Sequence, residues 1–146
     1  MAKFHQIDPI TFDQITELNN YLDEMLAPLF AAIEGQSIQN IIGSSGAFET
    51  FAELVELQKC NSFDLKQTKT YQFLGEELLE ITNKLIHSNH DERAAMPGII
   101  PVRVDMIVVA SLLTQYLINR LKLASVVMSS YSLKEGVLAE LFRSPS

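Results

Sequence analysis

The sequence predicts an α/β domain, mostly helical, with a small parallel sheet. Three observations carry this expectation. Through most of the chain apolar residues recur at three- and four-residue steps, the period of an amphipathic helix. Two short runs, Ile38–Ile42 and Ser125–Ser129, read instead as buried strands. They lie far apart with helical segments between them, which suits a parallel pair joined by crossovers.

Composition narrows the class. At 146 residues and 47% hydrophobic content, the chain is long enough for one domain with a real core. Eleven Lys and Arg against 18 Asp and Glu leave a formal charge of −7, and no basic run is present. That balance argues against nucleic-acid or anionic-membrane partners, but not against one small phosphate ligand held by a few arginines. Cys60 is the only cysteine, which rules out an intrachain disulfide and a cysteine-based zinc site and suits a reducing cytoplasm. The N-terminal MAKFHQID lacks the apolar core of a signal peptide. The most apolar stretch, Met106–Ile118, is interrupted by Ser111, Thr114 and Gln115 and is too short to span a bilayer.

Taken in order, residues 1–10 form an extended lead-in, where Pro9 keeps Asp8 out of the helical region. Thr11 with Gln14 makes a capping box for a helix whose apolar stripe runs from Phe12 through Leu18, Leu22 and Leu26 to Ile33. Pro28 is expected to kink its last turns, and Gly35 to end it. After the first strand comes the turn Gly43-Ser44-Ser45-Gly46, then a helix over about 47–59 burying Phe48, Phe51, Leu54 and Val55. Residues 63–74 are ambiguous, with Tyr71, Phe73 and Leu74 as anchors. A further helix runs from Gly75 or Glu76 to about Ser88. Asn89–Val102 is irregular, fixed by Pro97, Gly98 and Pro101 and bracketed by Arg93 and Arg103. The next helix, about 103–121, is apolar on nearly every side, so it should be central and covered all round. After the second strand, Ser132 and Glu135 form another capping box that starts a last helix through Leu133, Val137, Leu138 and Leu141; Ser144-Pro145-Ser146 should fray. Two strands make a poor sheet. Either a third hides in 63–74, or the sheet is completed by something outside this chain, and its open edge favours a homo-oligomer.

The residue types suited to chemistry sit in few places. Strand, glycine turn and helix offer free backbone N–H groups and a positive helix end to an anion, and Gly43 and Gly46 allow positive φ and close approach. No Walker A lysine follows, so this is not a P-loop, and Ser44 and Ser45 lack the frame of a nucleophile. Arg93 and Arg103 beside a rigid loop can present planar forks to phosphate, or can pair with Glu92 or Asp105. His90-Asp91 resembles half of a metal dyad, but no second histidine arrives from a separate helix, so a solvated helix end is the reading and no metal ligand is assigned.

Three stretches in this order, IIGSSGAFETFAEL (41–54), ERAAMPGIIPVRVDMIVVAS (92–111) and VVMSSYSLKEGVLAEL (126–141), resemble the exopolyphosphatase / guanosine pentaphosphate phosphohydrolase (Ppx/GppA) family. The resemblance implies a partial actin-like ATPase (ribonuclease H-like) lobe over 1–146: the later part of the family module's second lobe, lacking its opening meander. The Asp-x-Gly-Ser and Asp-x-Gly-Gly-Gly-Ser loops and the catalytic glutamate of the family are absent from the sequence. It therefore implies no catalytic residue in this chain, Mg²⁺ only in the intact enzyme, and dependence on a missing N-terminal lobe. It carries phosphate or nucleotide binding onto Gly43, Ser44, Ser45, Gly46, Arg103 and, more weakly, Arg93, with polyphosphate or guanosine phosphates as ligands. Lys134, Glu135 and Gly136 match a structural helix start. Ala47 stands where the family often has Thr, which removes one hydroxyl contact.

Overall fold

A computed structural model of the protein describes residues 4–5, 7–44 and 46–142. Helix α1 spans Phe12–Ala32 and its Thr11–Gln14 capping box is formed; the helix continues through Pro28, and Gly35 follows at φ +78°. Strand β1 is Asn40–Ser44, two residues later than the β-branched run suggested, so Gly43 belongs to the strand and not to a turn. Helix α2, Gly46–Gln58, follows. Its end is closed by Cys60 at φ 60°: Asn61 N–H donates to Glu56 O and Cys60 N–H to Leu57 O, so the exposed thiol sits where glycine is usual.

The ambiguous stretch does hold a strand, β2, Thr70–Phe73. Then come α3 (Gly75–His87), the short α4 (His90–Ala94) capped by Asn89, a 3₁₀ turn at Pro101–Arg103, α5 (Met106–Leu121), β3 (Ser125–Ser129) and α6 (Leu133–Leu141). The sheet is mixed, in the order β1-β3-β2: β1 runs parallel to β3, and β2 antiparallel to it. The expected parallel pair is thus correct, but the parallel sheet is not. Only four residues of 63–74 pair, too few for their alternation alone to mark the strand.

Alternation along the strands builds the main core. Val126 and Met128 of β3, with Ile41 of β1 and Phe73 of β2, point toward α2, α3 and α5. A second cluster, Leu18, Ile86, Val108 and Leu112 with Phe4 and Ile10, joins α1 to α3 and α5. Helix α5 therefore divides two cores: Ile107 faces the first, Val108 and Leu112 the second. It is central but not covered all round, for Met106 and Leu113 are exposed. Helix α6 keeps its Ser132–Glu135 capping box yet buries none of its residues, so its apolar positions face outward. The tail expected to fray lies outside the described residues.

Candidate functional site

The site begins with a glycine that is missing a side chain for a reason. A Cβ on Gly46 would stand 2.5 Å from Arg103 Nη2 and 2.8 Å from its Cζ. The first residue of α2 thus lets a guanidinium lie directly on its backbone. Two positive features meet here: the N-terminal end of α2, with its free N–H groups, and the Arg103 cation. Left to themselves they repel, and the local anchors are modest. Arg103 Nη1 donates to Thr50 Oγ1 at 2.8 Å, and Nη2 lies 3.7 Å from Glu49 Oε2. Thr50 is fully buried, and its hydroxyl donates in turn to Gly46 O at 3.0 Å. With its hydrogen committed to that carbonyl, the hydroxyl oxygen is free to accept from arginine. About a quarter of the Arg103 side chain stays exposed (27%).

A pocket of about 410 Å³ opens at this junction, lined by Gly46, Ala47, Val102, Arg103, Met106, Ile107 and Ala110. One edge is cationic and the opposite wall is an apolar shelf from the Pro101–Arg103 turn and the first turns of α5. Thr50 was not foreseen from the sequence. Its position one turn after Gly46 was legible, but its contact with an arginine 53 residues later was not.

The other residues read from the sequence are distributed differently. Gly43 is buried beneath Phe48: a Cβ there would come within 2.3 Å of the ring. Positive φ occurs among the described glycines only at Gly35 and Gly98, so neither Gly43 nor Gly46 is chosen for backbone freedom. Gly43 makes room for an aromatic ring, Gly46 for an arginine. Ser44 ends β1 in an exposed position, paired in register with Ser129, and does not line the pocket. Ser45 lies outside the described residues.

Arg93 requires the plainest correction. It is fully buried, and every nitrogen of its guanidinium is engaged. Nε donates to Val104 O at 2.7 Å, Nη1 to Ser88 O, and Nη2 to Asp8 Oδ1 at 2.9 Å and Asp105 Oδ1 at 3.4 Å. Nothing remains for a phosphate. Asp8 is the anchor that the sequence concealed: it also accepts from His90 N–H, and His5 Nε2 lies 3.0 Å from it. Burial pushes the Asp8 carboxyl up, but the hydrogen bonds from Arg93, His90 and His5 outweigh this and hold it below the usual carboxylate range. Asp105 is held low as well, first by the hydrogen bond from His90 Nδ1 at 2.8 Å and then by the charges of His90 and Arg93 against partial burial. His90 thus serves this ion network.

Among the described residues no three His, Cys, Asp or Glu side chains are grouped to hold a metal ion. Glu49, the carboxylate beside the pocket, already faces Arg103. These residues do not fit a Mg²⁺ site. No helix is long and apolar enough to cross a membrane among them.

A small mixed sheet backed by helices, with a glycine-led helix end facing an arginine, defines a mostly helical α/β lobe. The chain belongs to the Ppx/GppA phosphatase family, whose model matches residues 1–144. It is similar to an exopolyphosphatase structure from Cytophaga hutchinsonii, at 34% identity and a TM-score of 0.88 over 96% of this chain and 45% of that one. A Ppx/GppA phosphatase of Aquifex aeolicus shares the fold at 16% identity, with a TM-score of 0.79 over 97% of this chain and 45% of the other. Exopolyphosphatase 2 of Mycobacterium tuberculosis is 23% identical over 138 residues, 92% of this chain and 43% of the relative. The chain thus spans less than half the length of these relatives.

Proposed function

We propose that this chain forms one wall of the phosphate cleft of a phosphoanhydride hydrolase that removes terminal phosphate from polyphosphate or pppGpp. The observation that carries the reading is the Arg103 guanidinium seated on Gly46 at the start of α2, beside an open pocket. An anion entering there would meet backbone N–H groups and a planar arginine fork at once, and would relieve the repulsion between the two positive groups. The part of this chain in the reaction is to hold and neutralise phosphate oxygens. The base that activates water, and the Mg²⁺ that the family resemblance implies, belong to acidic loops in the remainder of the family's module.

The apolar shelf of Ala47, Val102, Met106, Ile107 and Ala110 supports a second reading, in which a guanosine phosphate is bound without turnover. An all-charged polyphosphate chain gains nothing from such a wall, whereas a base or ribose does. One experiment separates the two. Phosphate release from polyphosphate and from pppGpp with Mg²⁺ is measured for this chain alone and for a complete module in which this chain is joined to the remainder that it lacks, each with and without Arg103→Ala. The hydrolase reading expects no release by the chain alone, and a loss of about 10–100-fold in the complete module on removing a charge-assisted phosphate contact. Saturable pppGpp binding with no release in either form supports the sensor. Undiminished release after Arg103→Ala removes this pocket from the reaction.

A further inference from the structure

Arg103 reaches the glycine-led end of α2 from a three-residue turn, and something has to fix that turn. Its internal bonds are few: Arg103 N–H donates to Ile100 O at 2.8 Å and Val104 N–H to Pro101 O at 3.4 Å. Pro101 and Val102 are exposed, and Ile99 and Val104 alone anchor the neighbouring backbone in the core. Directly after Arg103, however, two consecutive residues are seized by one side chain. Arg93 Nε holds the Val104 carbonyl at 2.7 Å, and its Nη2 reaches the Asp105 carboxylate at 3.4 Å. Nη1 of the same guanidinium is tied to Ser88 O, and Nη2 also donates to Asp8 at 2.9 Å. Arg93 thus joins three separate segments, the lead-in, the end of α3 and the residues just after the turn, around one buried charge. A planar fork with donors in fixed directions sets the orientation of the groups it holds, which a lysine ammonium does not.

We propose that Arg93 is a positioning residue for Arg103: through the Val104 carbonyl and Asp105 it fixes the angle at which the Pro101–Arg103 turn delivers the Arg103 guanidinium onto Gly46 and Thr50. The use of that aim for phosphate rests on the function proposed above. The aim itself does not, and it is tested without any ligand.

The experiment follows the Arg103 side-chain Nε–H resonance in the ¹⁵N-labelled chain, assigned by its disappearance in Arg103→Ala. In the native chain it should be distinct from the position of a free arginine and slowed in exchange, as a guanidinium held by Thr50 would be. Arg93→Lys, shown to be folded by circular dichroism, should collapse the signal toward the free-arginine position. An unmoved signal overturns the proposal. Should Arg93→Lys fail to fold, Asp105→Asn removes one of the two holds on the turn and should move the same resonance part of the way; no movement there overturns the proposal equally. Binding of inorganic tripolyphosphate by calorimetry then adds a double-mutant cycle. Arg103→Ala should weaken binding by about 10-fold or more, Arg93→Lys by several-fold, and the two together no more than Arg103→Ala alone. Full additivity would mean that Arg93 does not act through Arg103. A moved resonance with unchanged tripolyphosphate binding in every variant would keep the positioning role and discard the phosphate reading.

Discussion

Arg93 and Arg103 bracket the same proline- and glycine-bearing loop, and in the sequence they look interchangeable. In the folded chain they are opposites. Arg93 has no exposed surface and meets four oxygens from three segments, whereas Arg103 keeps 27% of its side chain in solvent and lies over a glycine at a helix end. The difference lies in what surrounds each cation. Arg93 is encircled by acceptors, so its charge is consumed by the protein. Arg103 stands against another positive feature with one carboxylate 3.7 Å away, so the protein satisfies its charge less completely. On the function proposed above, a charge used for folding and a charge held for a ligand differ in how completely the protein itself satisfies them.

The sharpest way to break this comparison is to delete each arginine and measure stability. Arg93→Ala empties a buried space, orphans the Val104 and Ser88 carbonyls and leaves Asp8 and Asp105 facing each other without a cation. Uncompensated buried partners put the loss at about 3 kcal/mol. Arg103→Ala gives up one hydrogen bond and a partly exposed ion pair, about 1 kcal/mol at most. Urea unfolding midpoints at neutral pH compare the two directly, and equal losses would erase the distinction.

The two glycines at the β1–α2 junction repeat the contrast at smaller scale. Gly43→Ala drives a methyl into the Phe48 ring, a buried overpacking of about 1–3 kcal/mol, and Phe48→Leu should restore part of it. Gly46→Ala meets only the flexible end of Arg103, so stability should fall by less while tripolyphosphate binding is lost as the guanidinium is displaced. Gly46→Ala that binds like the native chain would show that Arg103 need not lie on α2.

Much of the fold was legible because it is local. The capping boxes at Thr11 and Ser132 are four-residue patterns, and the long helices follow from apolar spacing, whereas the short α4 and its Asn89 capping box lie in a stretch whose sequence reads as irregular. The parallel β1–β3 pair was also within reach, since each strand is a short apolar run. What escaped was whatever depended on partners distant in sequence. Strand β2 is one of the two ways the sequence offers to complete the sheet, but its place and antiparallel direction were not legible, because its four residues are defined by their partner β3 more than by their own pattern. Asp8 reads as a residue in an extended lead-in until Arg93, 85 positions later, arrives beside it. The site was half legible for the same reason: Gly46 and Arg103 stand out as residue types, but only the fold brings them together and shows that Gly43 serves Phe48. The apolar side of α6 is the remaining instance. Its period announces a buried stripe, and nothing among the described residues covers it.

Acid offers the finest test of the comparison, because only one of the two arginines is surrounded by carboxylates displaced from their ordinary range. Asp8 and Asp105 both titrate below the usual 3.8 in the folded chain. A carboxyl with a depressed folded value contributes stability that is fully present above its unfolded value and is lost as pH falls through the folded one. The contribution from this network should therefore be constant from neutral pH down to about 5 and fade below about 4. The size is reduced by solvent, since 28% of the Asp8 side chain and 57% of the Asp105 side chain are exposed. Asp105→Asn removes one of the two titrations and should flatten the acid limb of a plot of urea midpoint against pH, while lowering the plateau. Arg103→Ala leaves both carboxylates in place, so its plot should run parallel to that of the native chain at every pH. If Asp105→Asn keeps the native slope, the hydrogen bonds drawn to Asp105 by His90 and Arg93 contribute nothing to folding, and the buried arginine is held by Asp8 and the two carbonyls alone.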